Sequence, residues 1–317
     1  MLDHCGAFLV YNKNKEKKMN TFACIDIGGT AIKYGILNEN GSVVQKNETE
    51  TQAYKGGEAL AEKVEDLVRQ MIEQDENIAG IAISTAGVVD SEKGCIIHAS
   101  DAIPNYIGIN YKERLEKKFA RPTEVENDVN CAGLAEAQNG KGKDAASMLM
   151  LTIGTGIGGC FIEEGNLLHG NCFSACEVGY MPINGIPFQD IGATSALVNN
   201  VAKKKNEPLS LWNGKKIFAC ADQGDQDCIQ AIKNMCDVLG QGMALISFVL
   251  NPEVIVLGGG IMAQGEKMRQ DLEDAFAAHT IPLIAKNTRI EFAQHANDAG
   301  MKGALANFLK KHPQSNE

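Results

Sequence analysis

Glu126, Asn127 and Asp128 stand together in the segment VENDVNCAGLAEA, residues 125–137, after a short apolar entry and before a helical run. A carboxylate at such a junction can reach into a cleft while the helix buries its other face, and there it can accept a proton. The same placement also suits a simple helix N-cap, by Asn127 or by Asp128. Two glycine turns offer a second chemistry. Asp26-Ile27-Gly28-Gly29-Thr30 closes one apolar run, and LTIGTGIGG, residues 151–159, closes another. Glycines admit close backbone approach, and successive N–H groups form a nest for an anion. Thr30 and Thr155 add hydroxyl donors. Asp26 sits just before the first turn, where a carboxylate repels phosphate unless a cation lies between them. That points to Mg²⁺ held near a nucleotide, with Lys33 adding positive charge; a turn-capping aspartate is the competing reading. A third turn, Gly258-Gly259-Gly260, follows Val254–Leu257 and suits close approach by a planar base or a ribose.

Gly154, Gly156 and Gly159 satisfy G-x-G-x-x-G. A dinucleotide site needs the last glycine to open a helix whose N-terminus holds the pyrophosphate. Here Gly159 leads into CFIEEG, a strand-like run, and no later strand ends in an acidic residue about 20 positions on. The turn reads as a phosphate cradle between two strands.

The elements that must position these groups follow from periodicity. Phe22–Ile27 and Lys33–Leu37 are strand-like, and Asn40-Gly41 turns the chain into a third strand. Residues 57–75 read as a helix, with Leu60, Val64, Leu67, Val68, Met71 and Ile72 at three- and four-residue spacing. Residues 78–84 form a buried strand ending at Thr85-Ala86-Gly87, and Tyr111–Phe119 a helix. The second half repeats strand, glycine turn and strand. A helix over about 226–250 stops at Asn251-Pro252, a buried strand runs into the triple glycine, and Asp298–Lys310 is a final helix. ACIDIGGTAIKYGIL and LMLTIGTGIGGCFIE look like two copies of one unit, which implies similar domains facing each other across a cleft. Chance likeness between common hairpins is the alternative.

A chain of 317 residues fits two domains. Its net charge of −10 disfavours nonspecific contact with nucleic acid or an anionic membrane. No run of 18 apolar residues exists to span a bilayer. Ten cysteines without a C-x-x-C read as reduced thiols in the cytoplasm. Residues 1–18 carry charge after their apolar patch, the wrong order for a signal peptide, and are expected to lie outside the fold. His169 reads as a surface loop residue, and Met243 with the other helix methionines as core filler.

Taken together, DIGGT with Lys33, END at 126–128, TIGTGIGGC, EVGYM at 177–181 and VLGGG at 256–260 resemble the ROK family of sugar kinases, in family order across residues 20–305. The resemblance implies an α/β, two-domain actin-like ATPase/sugar kinase fold, a duplicated ribonuclease H-like unit with an interdomain cleft. It implies a small domain over 19–128, a large domain over 129–300, and a C-terminal helix at 301–312 packing back on the small one. Asp26, Gly28, Gly29, Thr30 and Lys33 match its first phosphate loop. Gly154, Thr155, Gly156, Gly158 and Gly159 match the second, and Gly258 and Gly259 the nucleoside side. Asp128 matches the general base; Gly87, Asn105, Asn127, Glu177 and Tyr180 match sugar-binding positions. ATP and Mg²⁺ are the implied cofactors, a free hexose the substrate, a homodimer the assembly.

One departure matters. Many ROK proteins hold structural zinc through a histidine three residues after the glutamate and a C-x-C-G-x-x-G-C cluster. Here Tyr180 stands in the histidine's place, residues 181–198 contain no cysteine, and Cys172 and Cys176 precede Glu177. Zinc is not expected, so packing, through Phe188, must hold that loop. The zinc-lacking pattern is similar to bacterial N-acetylmannosamine kinases and β-glucoside kinases, making N-acetylmannosamine, glucose or a β-glucoside the candidates, phosphorylated at the 6-hydroxyl. A non-catalytic sugar sensor or a ROK repressor is the alternative. A repressor would add a helix-turn-helix before the first strand, where only residues 1–18 stand.

Overall fold

The structure is a computed structural model and describes residues 19–313; the expectation for residues 1–18 lies outside them. The first half builds β1 (Thr21–Ile27), β2 (Ala31–Asn38), β3 (Val43–Glu50), α1 (Gly57–Gln74), β4 (Ile78–Thr85), β5 (Val88–Asp90), β6 (Cys95–His98), α2 (Tyr111–Phe119), β7 (Thr123–Asn127) and α3 (Asp128–Asn139). The β2–β3 turn forms because Asn38 Oδ1 accepts the N–H groups of Asn40 and Ser42, while Gly41 takes φ 77°. Helix α1 buries Leu60, Val64, Leu67, Val68 and Met71, the stripe expected from its spacing.

The second half builds β8 (Ser147–Ile153), β9 (Ile157–Glu163), β10 (Asn166–Leu167), β11 (Pro182–Ile183), β12 (Ile186–Pro187), α4 (Phe188–Gly192), α5 (Thr194–Lys205), α6 (Gly214–Asp222), α7 (Gln226–Leu250), β13 (Val254–Gly258), α8 (Gly265–His279), α9 (Pro282–Asn287), β14 (Arg289–Phe292) and α10 (Ala299–Lys311). Asn251, with φ 44°, ends α7 in the left-handed conformation, and Pro252 forbids its continuation. Met235 and Met243 are buried in the large core on its inner side.

The strand orders are β3-β2-β1-β4-β7 and β10-β9-β8-β13-β14. In each sheet the first three strands are antiparallel and the last two pairings parallel. The duplication glimpsed in two short segments therefore extends over both whole sheets. Helix α1 covers one face of the first sheet and α10 the other, through Met301, Ala304, Leu305 and Phe308. On the second sheet, α4–α8 cover one face and Ala132, Leu134 and Ala135 of α3 the other. The chain thus crosses between sheets along α3 and returns along α10. The two helices pack so closely that a Cβ at Gly303 would lie 1.7 Å from the Cys131 carbonyl oxygen.

Candidate active site

Parallel strands of an α/β sheet present ligands at their carboxyl ends, and here both sheets aim those ends at one space. A cleft of about 400 Å³ is walled on one side by Ala86-Gly87-Val88, His98-Ala99-Ser100 and Asn127-Asp128-Val129. The other wall is Thr152, Gly154–Gly159, Glu177, Tyr180, Gln189 and Gly259. A second cavity of about 700 Å³ shares Gly154 and Thr155 with it and runs between α5, α6 and the turn after β13, past Asn199, Trp212, Asn213, Lys215, Phe218 and Gly260.

The Asp128 junction works by division of labour. Asn127 caps α3: its Oδ1 accepts the N–H groups of Val129 and Asn130 at 2.9 and 3.1 Å. Its Nδ2 donates to the Gly87 carbonyl at 2.9 Å and to Asp128 Oδ1 at 3.0 Å. Every polar atom of the Asn127 side chain is thus engaged within the protein, which suits bracing more than sugar contact. Asp128 Oδ1 also accepts the Val129 N–H at 2.9 Å, and Oδ2 has no hydrogen bond among the described residues. Burial, then the charge of Asp26, then that of Glu177 push the Asp128 carboxyl up to about 7, against the bonds from its own helix turn. That is the range of a base working near neutral pH.

Asp26 lies behind it at the end of β1. Its Oδ1 accepts Ser84 Oγ–H at 2.7 Å, and its carboxyl packs against Gly300, where a Cβ would come within 2.2 Å of Cγ. Burial raises this carboxyl, opposed by the Ser84 bond and by Lys33, its cross-strand neighbour. Two crowded carboxyls, both raised, fit a divalent cation arriving with a nucleotide. No group of three or more His, Cys, Asp or Glu is placed for a metal among the described residues.

The glycine turn after β8 is shaped for an anion. Its carbonyls are drawn aside by α5: the Gly154 oxygen accepts the Thr194 N–H at 3.0 Å, and that of Thr155 accepts Ser195 Oγ–H at 2.6 Å. The N–H groups of Thr155 and Gly156 have no partner among the described residues. Gly259, at φ 98°, would bring a Cβ to 2.2 Å from the Ile153 carbonyl oxygen, so only glycine closes this corner. Gly258 is buried inside β13 and lines neither cavity. Across the cleft Gly87, at φ 96°, would bring a Cβ to 2.8 Å from the His98 carbonyl oxygen.

Other expected residues land elsewhere. Asp26, Gly28, Gly29, Thr30 and Lys33 line neither cavity. Thr51 Oγ1 donates to the Gly28 carbonyl at 2.6 Å and fixes the turn, leaving Gly29 and Thr30 exposed beside Asp26. Asn105 is not among the residues that line this cleft. Ile103, Tyr106 and Ile109 are buried as anchors, with Tyr106 Oη 2.6 Å from Thr85 Oγ1. Asn105, left-handed at φ 54° between them, stays exposed. His98 and Ser100 line the wall instead, and periodicity gave no sign of them: CIIH reads as an apolar run with a polar end. Glu177 and Tyr180 face the cleft as expected; burial raises the Glu177 carboxyl and His98 opposes that. Phe188 is fully buried against Gly242 of α7. His169 is not a free surface residue: its Nε2 lies 2.8 Å from Oε2 of the buried Glu126.

With this geometry in place, the family model for the ROK family matches residues 22–311. The chain belongs to the ROK family. It is 47% identical to an uncharacterized protein of Clostridium perfringens over 92% of this chain and 98% of that protein. It is 33% identical to the β-glucoside kinase of Listeria innocua, over 91% and 97%. Among solved structures, a candidate N-acetylmannosamine kinase from Listeria monocytogenes superposes with a TM-score of 0.81 at 31% identity, over 92% of this chain and 99% of that one. The matched span runs from β1 to the end of α10, so both sheets and the cleft between them are ROK features.

Proposed function

We propose that this chain transfers the γ-phosphoryl group of ATP to the 6-hydroxyl of a free hexose or hexose derivative, with N-acetylmannosamine, glucose and β-glucosides as the candidates. At the level of enzyme class it is a sugar kinase. The observation that carries the reading is Asp128: a carboxylate with one free oxygen, pushed up to about 7, facing an anion-shaped glycine turn across one cleft.

The sugar would sit between Gly87, Glu177 and Tyr180. Glutamate can pair with vicinal hydroxyls, and tyrosine offers both a ring face and a donor. Asp128 Oδ2 takes the proton of the attacking hydroxyl. The sugar oxygen then forms its bond to the γ-phosphorus as the bond to the β,γ-bridging oxygen breaks, and ADP leaves with that electron pair. The N–H groups of Thr155 and Gly156 receive phosphate oxygens, with the exposed Gly29 and Thr30 of the opposite turn as further candidates, while the larger cavity takes the nucleoside. Mg²⁺ bound with the nucleotide would supply charge neutralisation, with Asp26, whose charge reaches Asp128, as the candidate to hold it directly or through water. Such transfer depends mostly on positioning and charge.

The same reading carries a small domain over 19–128 joined by the terminal helix, a large domain over 129–300, a zinc-free fold, a cytoplasmic location and a homodimer. The net charge of −10 supports small molecules over nucleic acid or membrane as partners, and no helix among the described residues is long and apolar enough to cross a bilayer. Incubation with ATP, Mg²⁺ and glucose, mannose, fructose, N-acetylmannosamine, N-acetylglucosamine or cellobiose, with products read by mass and by ³¹P NMR, tests it. A hexose 6-phosphate supports the proposal; phosphate only at another position corrects its regiochemistry, and no phosphosugar rejects it.

A further inference from the structure

The two walls of the cleft meet again behind it. Glu126, next to the Asn127 cap, is 1% exposed. Its Oε1 accepts the Asn127 N–H at 2.8 Å and Asn130 Nδ2–H at 2.9 Å, tying the end of β7 to the first turn of α3. Its Oε2 meets His169 Nε2 at 2.8 Å. Ser91 Oγ lies 3.4 Å from the same nitrogen, and a proton on Nε2 would make the 2.8 Å contact a hydrogen bond to the carboxylate.

His169 belongs to the other wall. It follows β10 and opens a tight loop that its own carbonyl closes, accepting the Ala175 N–H at 3.1 Å. Gly170, Phe173 and Cys176 are left-handed within this segment, at φ 72°, 58° and 63°. The Phe173 ring packs edge-on to the imidazole at 6.0 Å. The loop delivers Glu177 directly. One hydrogen bond therefore links the base of the Glu177 loop to the turn that presents Asp128.

We propose that His169 is a positioning residue for the sugar: through Glu126 it sets the separation of Glu177 from Asp128 and so the seat of the reacting hydroxyl. The proposal rests on the sugar-kinase reading. Without the imidazole the buried carboxylate loses a donor, the loop loses its anchor, and Glu177 drifts relative to Asp128. The nucleotide contacts, on the turn after β8 and on α5, are not tied to this bond.

The test is steady-state kinetics of wild type, His169→Ala, His169→Gln, Glu126→Gln and the His169→Ala/Glu126→Gln double variant, with thermal unfolding as the control for folding. His169→Ala is expected to lower kcat/KM for the sugar ~10–100-fold, the range for residues that orient a binding group from behind, while KM for ATP stays within about twofold. His169→Gln, which keeps an N–H donor, recovers most of the loss. In the double variant the two losses fail to add. Equal losses toward ATP and sugar, no loss, no recovery by glutamine, or strict additivity would each overturn the proposal. A wild type with no sugar-dependent turnover overturns the kinase reading instead. The same variants are then titrated with sugar by calorimetry, where an unchanged affinity in His169→Ala, or no sugar binding by the wild type, overturns the positioning role.

Discussion

At the residue scale the account turns on Asp128. Replacing it with asparagine removes the proton acceptor but keeps the size and the cap. Asp128→Asn should lower kcat by ~10²–10⁴ with sugar affinity nearly intact; a near-normal rate would remove Asp128 from the mechanism. The raised carboxyl also sets a pH dependence. In the free enzyme kcat/KM for the sugar should climb with pH and reach half its plateau near pH 7, because the base must be ionised and its value stands at about 7. The charge of Asp26 contributes to that elevation, so Asp26→Asn should move the midpoint to lower pH. The stability sign follows from the same shift. The folded value lies above the ordinary 3.8, so the folded state holds a proton that the unfolded chain releases between 3.8 and about 7. The group's stabilising share is complete below that window and is lost as pH rises through it. Asp128→Asn should therefore melt a few degrees above wild type at pH 8, with the gap narrowing toward pH 4; a variant that melts lower at pH 8 would contradict the assignment of burial as the cause.

At the element scale, the crossing of α3 and α10 positions the carboxylates. Asp128 opens α3, and Asp26 packs on Gly300 at the start of α10. Gly303→Ala would press a methyl on the Cys131 backbone, separating the helices at a cost of ~1–3 kcal/mol; an unchanged unfolding midpoint would show that the contact is looser than described. Phe188→Ala empties a fully buried ring site against Gly242 and should cost ~3–5 kcal/mol, if packing alone holds the segment that zinc anchors elsewhere in the family. What was legible in the sequence was local. The Asn38–Ser42 turn, the stripe on α1 and the Asn251-Pro252 stop are each decided by neighbours in the chain. Helices α5, α6, α8 and α9 were not read: TSALVNNVAKKK mixes apolar and polar residues without a clean stripe, and GKKIFACAD, though amphipathic, is only 9 residues long and is folded by the cavity and core it encloses. His98 was missed for the same reason: only the β5–β6 hairpin brings it to the cleft. In the 103–109 loop the apolar residues take the buried positions and leave Asn105 exposed, and the partner of His169 lies 43 residues away, where no neighbour in the chain announces it.

At the scale of the whole molecule, two copies of one sheet order face each other, with the carboxyl ends of the parallel strands converging on one cleft. One sheet ends in Asp26 and in the Asn127-Asp128 junction, the other in the Gly154–Gly159 turn. Metal analysis of the purified protein should find well under one zinc per chain, with activity and melting temperature unmoved by a zinc chelator; one equivalent of zinc would contradict the zinc-free reading. The central claim is that phosphoryl transfer to a hexose occurs in this cleft. Its most direct test is ADP release from ATP and Mg²⁺ with and without each sugar of the panel. The account predicts release that depends on at least one hexose and saturates with it; ADP release indifferent to every sugar, or none at all, would contradict it.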